Sequence, residues 1–314
     1  MKTKKSKMNK IFDRGEVYTV IVTPFDDDGN IIFSDFDIMI DFQIKNNVNG
    51  IILLGTTSES STIDEEEKKE IVTYIWNRFN NKIKIIVGIG GNNTKKVLEF
   101  GHYCVNRCDA FMVTVPNYNK PTQNGIFEHF FRIANDKELI NKEIMLYNIP
   151  SRCGVNMEPQ TIISLYKVCK NITAIKEASG SLSQLRKIVE GCDINVYSGD
   201  DLNILPIMSL GGVGVISVGS NIIPMEISNL IKLCINNQYD NARNLFYKIS
   251  LILENLFIVS NPIPIKHVLF NNKLISNNNL RLPLLKLNKE DNEILDKLNK
   301  IIVNIQNTEL NDFN

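Results

Sequence analysis

Residues 172–180 read Ile-Thr-Ala-Ile-Lys-Glu-Ala-Ser-Gly. The segment opens with a short apolar run, rich in β-branched side chains, that ends at Lys176. An amphipathic stretch follows, and Gly191 stands where a helix would end. An apolar run without polar alternation is typical of a strand buried on both faces, as in a parallel sheet covered by helices. The segment therefore predicts one β-strand followed by one α-helix, with Lys176 at the carboxyl end of the strand.

The same pattern occurs eight times along the chain, and the apolar runs start 18 to 34 residues apart, which is close to the length of a βα unit. The predicted strands are Val17–Thr23, Gly50–Leu54, Ile83–Val87, Ala110–Val115, Ile144–Tyr147, Ile172–Lys176, Asn195–Ser198 and Val213–Val218. After the eighth run only helical patterns remain, at Pro224–Asn237, Tyr239–Phe257 and Asn288–Gln306, with a proline-containing turn at Asn261–Pro264.

Eight strand–helix units predict an α/β fold, a (β/α)8 TIM barrel with a C-terminal helical appendage. We expect a basic, disordered tail over residues 1–12, the barrel over residues 13–236 and the helical region over residues 237–314. The alternative is a doubly wound open sheet. That fold usually has a glycine-rich phosphate loop after its first strand, whereas this strand ends in Thr23-Pro24-Phe25.

Composition excludes several classes of function. The 35 basic and 35 acidic residues give a net charge of zero, which is unusual for a protein that binds nucleic acid. No apolar run is long enough for a membrane span, and the basic N-terminus lacks the apolar core of a secretory signal. The six cysteines have no metal-ligand spacing. We therefore expect a cytoplasmic protein with reduced thiols, no bound metal and no nucleic-acid or membrane partner.

The chemistry of a TIM barrel is expected at the carboxyl ends of its strands. Lys176 ends an apolar strand and should point into the barrel mouth, where low dielectric favours the neutral amine, a nucleophile toward ketones. Its position alone leaves a second interpretation equally open, in which the lysine reaches the rim or pairs with Glu177.

Other strand ends carry polar candidates. Thr56 and Thr57 lie in a loop that precedes a helix capped by Thr62, and such a loop suits a carboxylate or a phosphate. Tyr118 and Tyr147 could relay protons, although single tyrosines more often pack in the core. Arg152 could clamp a substrate carboxylate or form a surface ion pair. The alternatives stay open at this point.

Taken together, seven segments resemble the dihydrodipicolinate synthase (4-hydroxy-tetrahydrodipicolinate synthase) family, which belongs to the pyruvate-dependent class I aldolases. The resemblance runs in order from about Val17 to Lys266. The segments are GTTSES (55–60), PNYNKPTQNG (116–125), YNIPSRCG (147–154), KEASGS (176–181), SGDD (198–201), GGVGVISV (211–218) and NPIPIK (261–266).

The resemblance implies a lyase in which Lys176 forms a Schiff base with pyruvate, so that no separate cofactor is needed. It implies that Tyr147, Thr56 and Tyr118 relay protons, and that Tyr118 comes from the partner subunit of a tight dimer within a homotetramer. Thr56 and Thr57 would hold the carboxylate of pyruvate. Further substrate contacts are implied for Arg152, which would bind the carboxylate of aspartate semialdehyde, and for the backbones of Gly199 and Ile216.

Two positions depart from the family pattern. Ser58 replaces a glycine, which is tolerable only if the turn does not need a positive φ, and Asn117 replaces a tyrosine that packs across the dimer interface. The positions that match the family's lysine-effector site are Glu65, Lys68 and Lys96, with Ser61 and Asn117 nearby. Since Lys96 would repel an ammonium group, we expect no feedback inhibition by lysine.

The resemblance leaves two alternatives. N-acetylneuraminate lyase, or another keto-acid aldolase on the same scaffold, would keep Lys176 and Tyr147 but generally lacks an arginine at the position of Arg152. A non-catalytic barrel used for binding is also compatible with the fold, because fold alone does not decide function.

Overall fold

The fold is a closed barrel of eight parallel strands, seen in a computed structural model that describes residues 10–295, 298, 299 and 302. The strands pair in chain order, and β8 closes the barrel against β1. This confirms the predicted (β/α)8 barrel. The strands are β1 Glu16–Val20, β2 Gly50–Leu53, β3 Lys84–Gly88, β4 Ala110–Thr114, β5 Glu143–Asn148, β6 Ile172–Glu177, β7 Asn195–Ser198 and β8 Gly214–Ser217.

Helices connect the strands and continue beyond the barrel. They are α1 Phe33–Lys45, α2 Glu65–Phe79, α3 Thr94–Cys104, α4 Gln123–Ala134, α5 Pro150–Cys153, α6 Pro159–Val168, α7 Leu182–Gly191, α8 Ile204–Ser209, α9 Pro224–Ile235, α10 Tyr239–Asn255 and α11 Ile263–Asn271. Residues 289–295, 298, 299 and 302 are also helical. Within the described part of the chain, none of the helices has both the length and the apolar character needed to cross a membrane.

Alternation along the strands separates two apolar layers. Residues such as Ile175 face outward and pack under the helices, and their neighbours face the barrel interior. The interior layer consists of Tyr18, Val20, Ile52, Ile86, Ala110, Met112, Met145, Tyr147, Ala174, Tyr197 and Ile216. Because Ala174 faces inward, the period of two directs Lys176 inward as well, one layer nearer the carboxyl end.

Aromatic rings close the amino-terminal end of the barrel. Phe12, Tyr18 and Tyr197 contact one another edge to face, with ring centroids 5.7 to 6.2 Å apart. A Cβ at Gly50 would lie 2.6 Å from the Tyr18 ring, so the absence of a side chain there makes room for the tyrosine. Phe12, which we assigned to the tail, is fully buried in this plug, and residues 1–9 lie outside the described residues.

The region after α9 differs from the sequence expectation in two ways. The expected turn at Asn261–Pro264 covers Asn261 and Pro262 only, and α11 begins at Ile263, because a proline such as Pro264 is tolerated in the first turn of a helix. The expected helix Asn288–Gln306 is helical at 289–295, 298, 299 and 302, and its remaining residues lie outside the described ones.

The cap of helix α2 also differs from the expectation. Helix α2 is capped by Asp64, which forms a capping box with Glu67, and not by Thr62.

Candidate active site

Lys176 and Tyr147 occupy the carboxyl ends of adjacent strands. The two residues are register partners in the β5–β6 pair, and both belong to the inward-facing set of their strands. The Nζ of Lys176 lies 4.2 Å from the centroid of the Tyr147 ring. The barrel therefore places an amine against a phenol at its catalytic end, as the sequence predicts.

Burial determines the protonation of Lys176. Its side chain is 5% exposed, and desolvation lowers its pKa to about 7, with Arg152 acting in the same direction. The charges of Asp201 and Asp200 oppose this shift. An amine with a pKa of about 7 is half neutral at neutral pH, which makes it available as a nucleophile.

The structure decides against pairing of Lys176 with Glu177. Successive strand residues point to opposite faces, so Glu177 points away from the barrel interior. Its carboxylate is bound by the backbone N–H of Ser179 at 2.7 Å and by the side chains of Asn148 and Gln184 at 3.1 to 3.4 Å. The burial of Lys176 excludes a lysine that reaches the rim. The hydrogen bonds of Glu177 exclude an ion pair between Lys176 and Glu177.

Tyr147 has the protonated phenol that a proton relay requires. Burial raises its pKa to about 12, while a hydrogen bond with Thr56 and the charge of Arg152 act in the opposite sense. The phenol is therefore neutral at physiological pH and can donate a proton. Thr56, the partner in this hydrogen bond, lies on the loop between β2 and α2.

The loop that follows β2 is a tight turn. Leu54 and Glu59 have positive φ values of 57° and 56°, whereas Ser58 does not, so the serine in place of glycine adds no strain at that position. The Ser58 hydroxyl donates to the carbonyl of Ile21 at 2.7 Å. Thr57 is 2% exposed and its Oγ1 accepts a hydrogen bond from the Asn261 side chain at 2.9 Å.

Arg152 lies on the short helix α5, directly after β5. Its side chain is exposed, and its Nη2 donates to the backbone carbonyl of Asn261 at 3.3 Å. Among the described residues it has no carboxylate partner. This excludes the surface ion pair considered from the sequence and leaves the guanidinium able to bind an acidic ligand.

A cavity of about 690 Å³ adjoins part of this site. Thr56, Arg152 and Asn261 are among the residues that line it. The residues at the predicted effector position line it as well, namely Ser61, Glu65, Lys68, Lys96 and Asn117. Burial lowers the pKa of Lys68, and neither this lysine nor Lys96 has a carboxylate partner within the described part of the chain.

Gly199 lies beside the lysine, and Ile216 lies in the barrel interior. A Cβ at Gly199 would be 2.7 Å from that of Ala178 and 3.1 Å from the Lys176 Cγ, so a side chain there would collide with the reactive arm. Ile216 is buried in the interior layer with Tyr147.

Tyr118 is not part of this cluster within the subunit. Its side chain is 87% exposed and its φ is +67°. Of the contacts seen in the described residues, none joins it to Tyr147 or Thr56. Five of the eight predicted residues thus lie near one another at the barrel mouth, Ile216 and Thr57 are buried, and Tyr118 is exposed at the surface.

Two further residues belong to the site although the sequence analysis gave them no role. Asp201 is buried, and its Oδ2 accepts hydrogen bonds from the N–H groups of Val218 and Gly219 at 2.9 Å. Asn261 connects to both Thr57 and Arg152. Both lie in segments that carried the resemblance, SGDD and NPIPIK, which was the available signal.

A buried ion pair supports the β2–α2 loop from the C-terminal region. The Nζ of Lys266 lies 2.5 Å from the Oε1 of Glu59, and both side chains are at most 1% exposed. Arg281 donates its backbone N–H to the same carboxylate at 3.0 Å and binds Glu67 with its guanidinium. The loop that bears Thr56 and Thr57 is therefore held by residues that follow the barrel.

The chain is similar to a known protein family over most of its length. The Dihydrodipicolinate synthetase family matches residues 13–302. The 4-hydroxy-tetrahydrodipicolinate synthase of Methanococcus maripaludis is 41% identical over 272 residues, covering 86% of this chain and 92% of the relative. That of Methanocaldococcus jannaschii is 39% identical over 285 residues, covering 90% and 97%.

Solved structures show the same architecture. The crystal structure of dihydrodipicolinate synthase from Aquifex aeolicus superposes with a TM-score of 0.88 at 34% identity, covering 92% of this chain and 97% of that chain. The enzyme from Cyanidioschyzon merolae, solved with lysine bound, has a TM-score of 0.88 at 35% identity, covering 92% and 98%.

Proposed function

Because the chain belongs to the dihydrodipicolinate synthetase family and is a lyase of that family, we propose that it condenses pyruvate with L-aspartate 4-semialdehyde to 4-hydroxy-tetrahydrodipicolinate. The observation that carries the proposal is Lys176, a fully enclosed amine with a pKa of about 7 that lies against Tyr147 at the mouth of a TIM barrel. The guanidinium of Arg152, which has no carboxylate partner in the described part of the chain, supports an acidic second substrate.

The first half of the reaction makes an enamine. The neutral amine of Lys176 adds to the ketone carbon of pyruvate, and loss of water leaves a protonated imine, so the only group held covalently is the substrate itself. The positive nitrogen withdraws electrons from the neighbouring methyl carbon, which can then lose a proton. Tyr147, hydrogen-bonded to Thr56, is the group placed to carry that proton. Thr56 and Thr57 hold the pyruvate carboxylate.

The second half joins the substrates. The enamine carbon attacks the aldehyde carbon of the semialdehyde, whose oxygen takes up a proton, and Arg152 holds its carboxylate. The substrate's own amine then replaces Lys176 on the imine carbon, which closes the ring and frees the enzyme. One molecule of water is lost in total. Such a product supplies lysine and diaminopimelate synthesis, and we place the enzyme in the cytoplasm.

N-acetylneuraminate lyase is not favoured. The relatives described above carry the synthase name, and a neutral amino sugar has no carboxylate for Arg152. A non-catalytic barrel would not need a buried, half-neutral lysine beside a phenol.

The test is an assay of pyruvate with aspartate semialdehyde and, in parallel, with N-acetylmannosamine, each with and without borohydride. We expect turnover of the semialdehyde alone and a pyruvate adduct on Lys176 after reduction. Lys176→Ala should lose turnover by about 10³-fold or more, the order of loss seen when a nucleophile is removed, with an unchanged circular dichroism spectrum. Turnover of the amino sugar, or no adduct at all, would refute the proposal.

We propose further that free lysine does not inhibit this enzyme. An effector lysine carries two ammonium groups, and the end of the cavity that matches the family's effector position presents Lys68 and Lys96. Initial rates should stay unchanged in millimolar L-lysine, and calorimetry should detect no binding. A saturable decrease in rate at such concentrations would contradict this expectation.

A further inference from the structure

Asn261 contacts one residue from each of the two proposed carboxylate sites, Thr57 and Arg152. It is 7% exposed and lies at the edge of the 690 Å³ cavity, together with Arg152 and Thr56. Its side-chain Nδ2 donates to Thr57 at 2.9 Å, and its backbone carbonyl accepts from Arg152 at 3.3 Å. These bonds connect the residue to one member of each carboxylate site and leave its side-chain oxygen unused.

That oxygen is unpaired in the described part of the chain, where the Oδ1 of Asn261 is one of a few buried side-chain atoms without a hydrogen bond. A buried acceptor left unpaired is destabilising, so it calls for a donor from a water molecule or a ligand. The atom is an acceptor only, which means that its partner must bring an N–H or an O–H.

The surroundings narrow the choice of donor. The Arg152 guanidinium, bonded to the same residue, attracts a carboxylate, so a ligand that satisfies both groups presents an anion and a donor a few ångströms apart. An α-amino acid has this arrangement, with its carboxylate and ammonium on one carbon. A neutral amide oxygen accepts from an ammonium group without the strong charge pairing that a carboxylate would impose.

We propose that Asn261 and Arg152 form a subsite for an α-amino-acid head group, in which the Asn261 Oδ1 accepts a hydrogen bond from the amino group of the second substrate. The inference rests on the proposed function and explains why the enzyme would prefer a semialdehyde that carries an amino group. Asn261 is then a specificity-determining residue as well as the residue that orients the Thr57 hydroxyl, because a hydroxyl that accepts from an amide keeps its own proton for the pyruvate carboxylate.

The test compares two acceptors that differ only in the amino group, aspartate semialdehyde and succinate semialdehyde. The measured quantity is the ratio of their kcat/KM values, since any effect of a mutation on pyruvate binding or on folding is common to both acceptors and cancels. Wild type should prefer the aminated acceptor by about 10- to 100-fold, as expected for a hydrogen bond to a charged group. Asn261→Ala should lose most of that preference.

Two variants complete the design. Asn261→Asp keeps an oxygen and adds a charge, so it should keep or raise the preference while increasing the KM for pyruvate through the lost donation to Thr57. Asn92→Ala removes another cavity-lining amide, whose side chain makes no hydrogen bond in the described contacts, and should leave the ratio unchanged.

A wild type without preference, or a preference unchanged in Asn261→Ala, would overturn the inference and assign the oxygen to a water molecule. The proposed function would survive either result. If wild type turned over neither acceptor, both the proposed function and this inference would be overturned.

Discussion

The reactivity of Lys176 depends on a balance between opposing influences. Burial and the charge of Arg152 favour the neutral amine, and the charges of Asp201 and Asp200 favour the ammonium form. The result is a pKa of about 7, at which the lysine is a nucleophile but can still carry the proton of an iminium nitrogen. The charges of neighbouring residues therefore tune the pKa of the nucleophile.

This balance predicts the effect of Asp201→Asn. Removing the negative charge destabilises the ammonium form, so the pKa of Lys176 falls and the rising limb of the pH profile moves to lower pH. We expect a displacement of up to about one pH unit, equivalent to about 1.4 kcal/mol. Borohydride trapping of the pyruvate adduct as a function of pH measures it without the second substrate.

Asp200→Asn provides the graded control, since Asp200 contributes less to the Lys176 pKa than Asp201 does. Its profile should move in the same direction by a smaller amount. A displacement to higher pH in Asp201→Asn would show that this carboxylate does not act on the amine through its charge.

Secondary structure elements were predictable where one local pattern determines them. All eight strands lie within a few residues of their predicted bounds, because a strand buried on both faces leaves a continuous apolar run. The sequence analysis also placed Lys176 in the barrel mouth, and the inward-facing Ala174 two residues before it agrees with that orientation. Hence the centre of the site followed from the sequence once its strands were assigned.

Elements were mispredicted where the sequence signal was ambiguous or the deciding contact was distant. The prolines of the segment that begins α11 indicate a turn and a helix start equally well. Thr62 and Asp64 are both good capping residues. Thr62 lies in a 3₁₀ turn, Ser60–Thr62, and Asp64 occupies the capping position of α2. The Glu59–Lys266 pair joins two segments far apart in sequence, so no local pattern could reveal it.

At the scale of the whole molecule, the position of Tyr118 bears on assembly. Its side chain is 87% exposed, its backbone is left-handed, and it makes no contact with Tyr147 or Thr56 among the described residues. We propose that a partner subunit receives it, as the resemblance implies, and that the active unit is at least a dimer.

Complementation tests this proposal. Lys176→Ala and Tyr118→Phe subunits should each be nearly inactive alone. Mixed by reversible unfolding, they form heterodimers in which one of the two sites has both native residues, so a one-to-one mixture should recover about a quarter of wild-type activity. If Tyr118 acts within its own chain, the mixture will stay as inactive as its components.

The bond between Asn261 and Thr57 joins residues 204 positions apart, and this separation has a consequence for synthesis on the ribosome. At about 5–20 residues per second, the amide emerges roughly 10–40 s after the hydroxyl that it orients. In the last part of that interval the nascent polypeptide contains Lys176 and Tyr147 but still lacks the contacts that arrange the carboxylate-binding loop. Catalytic competence is thus acquired late in translation, and prematurely terminated chains remain inert toward keto acids.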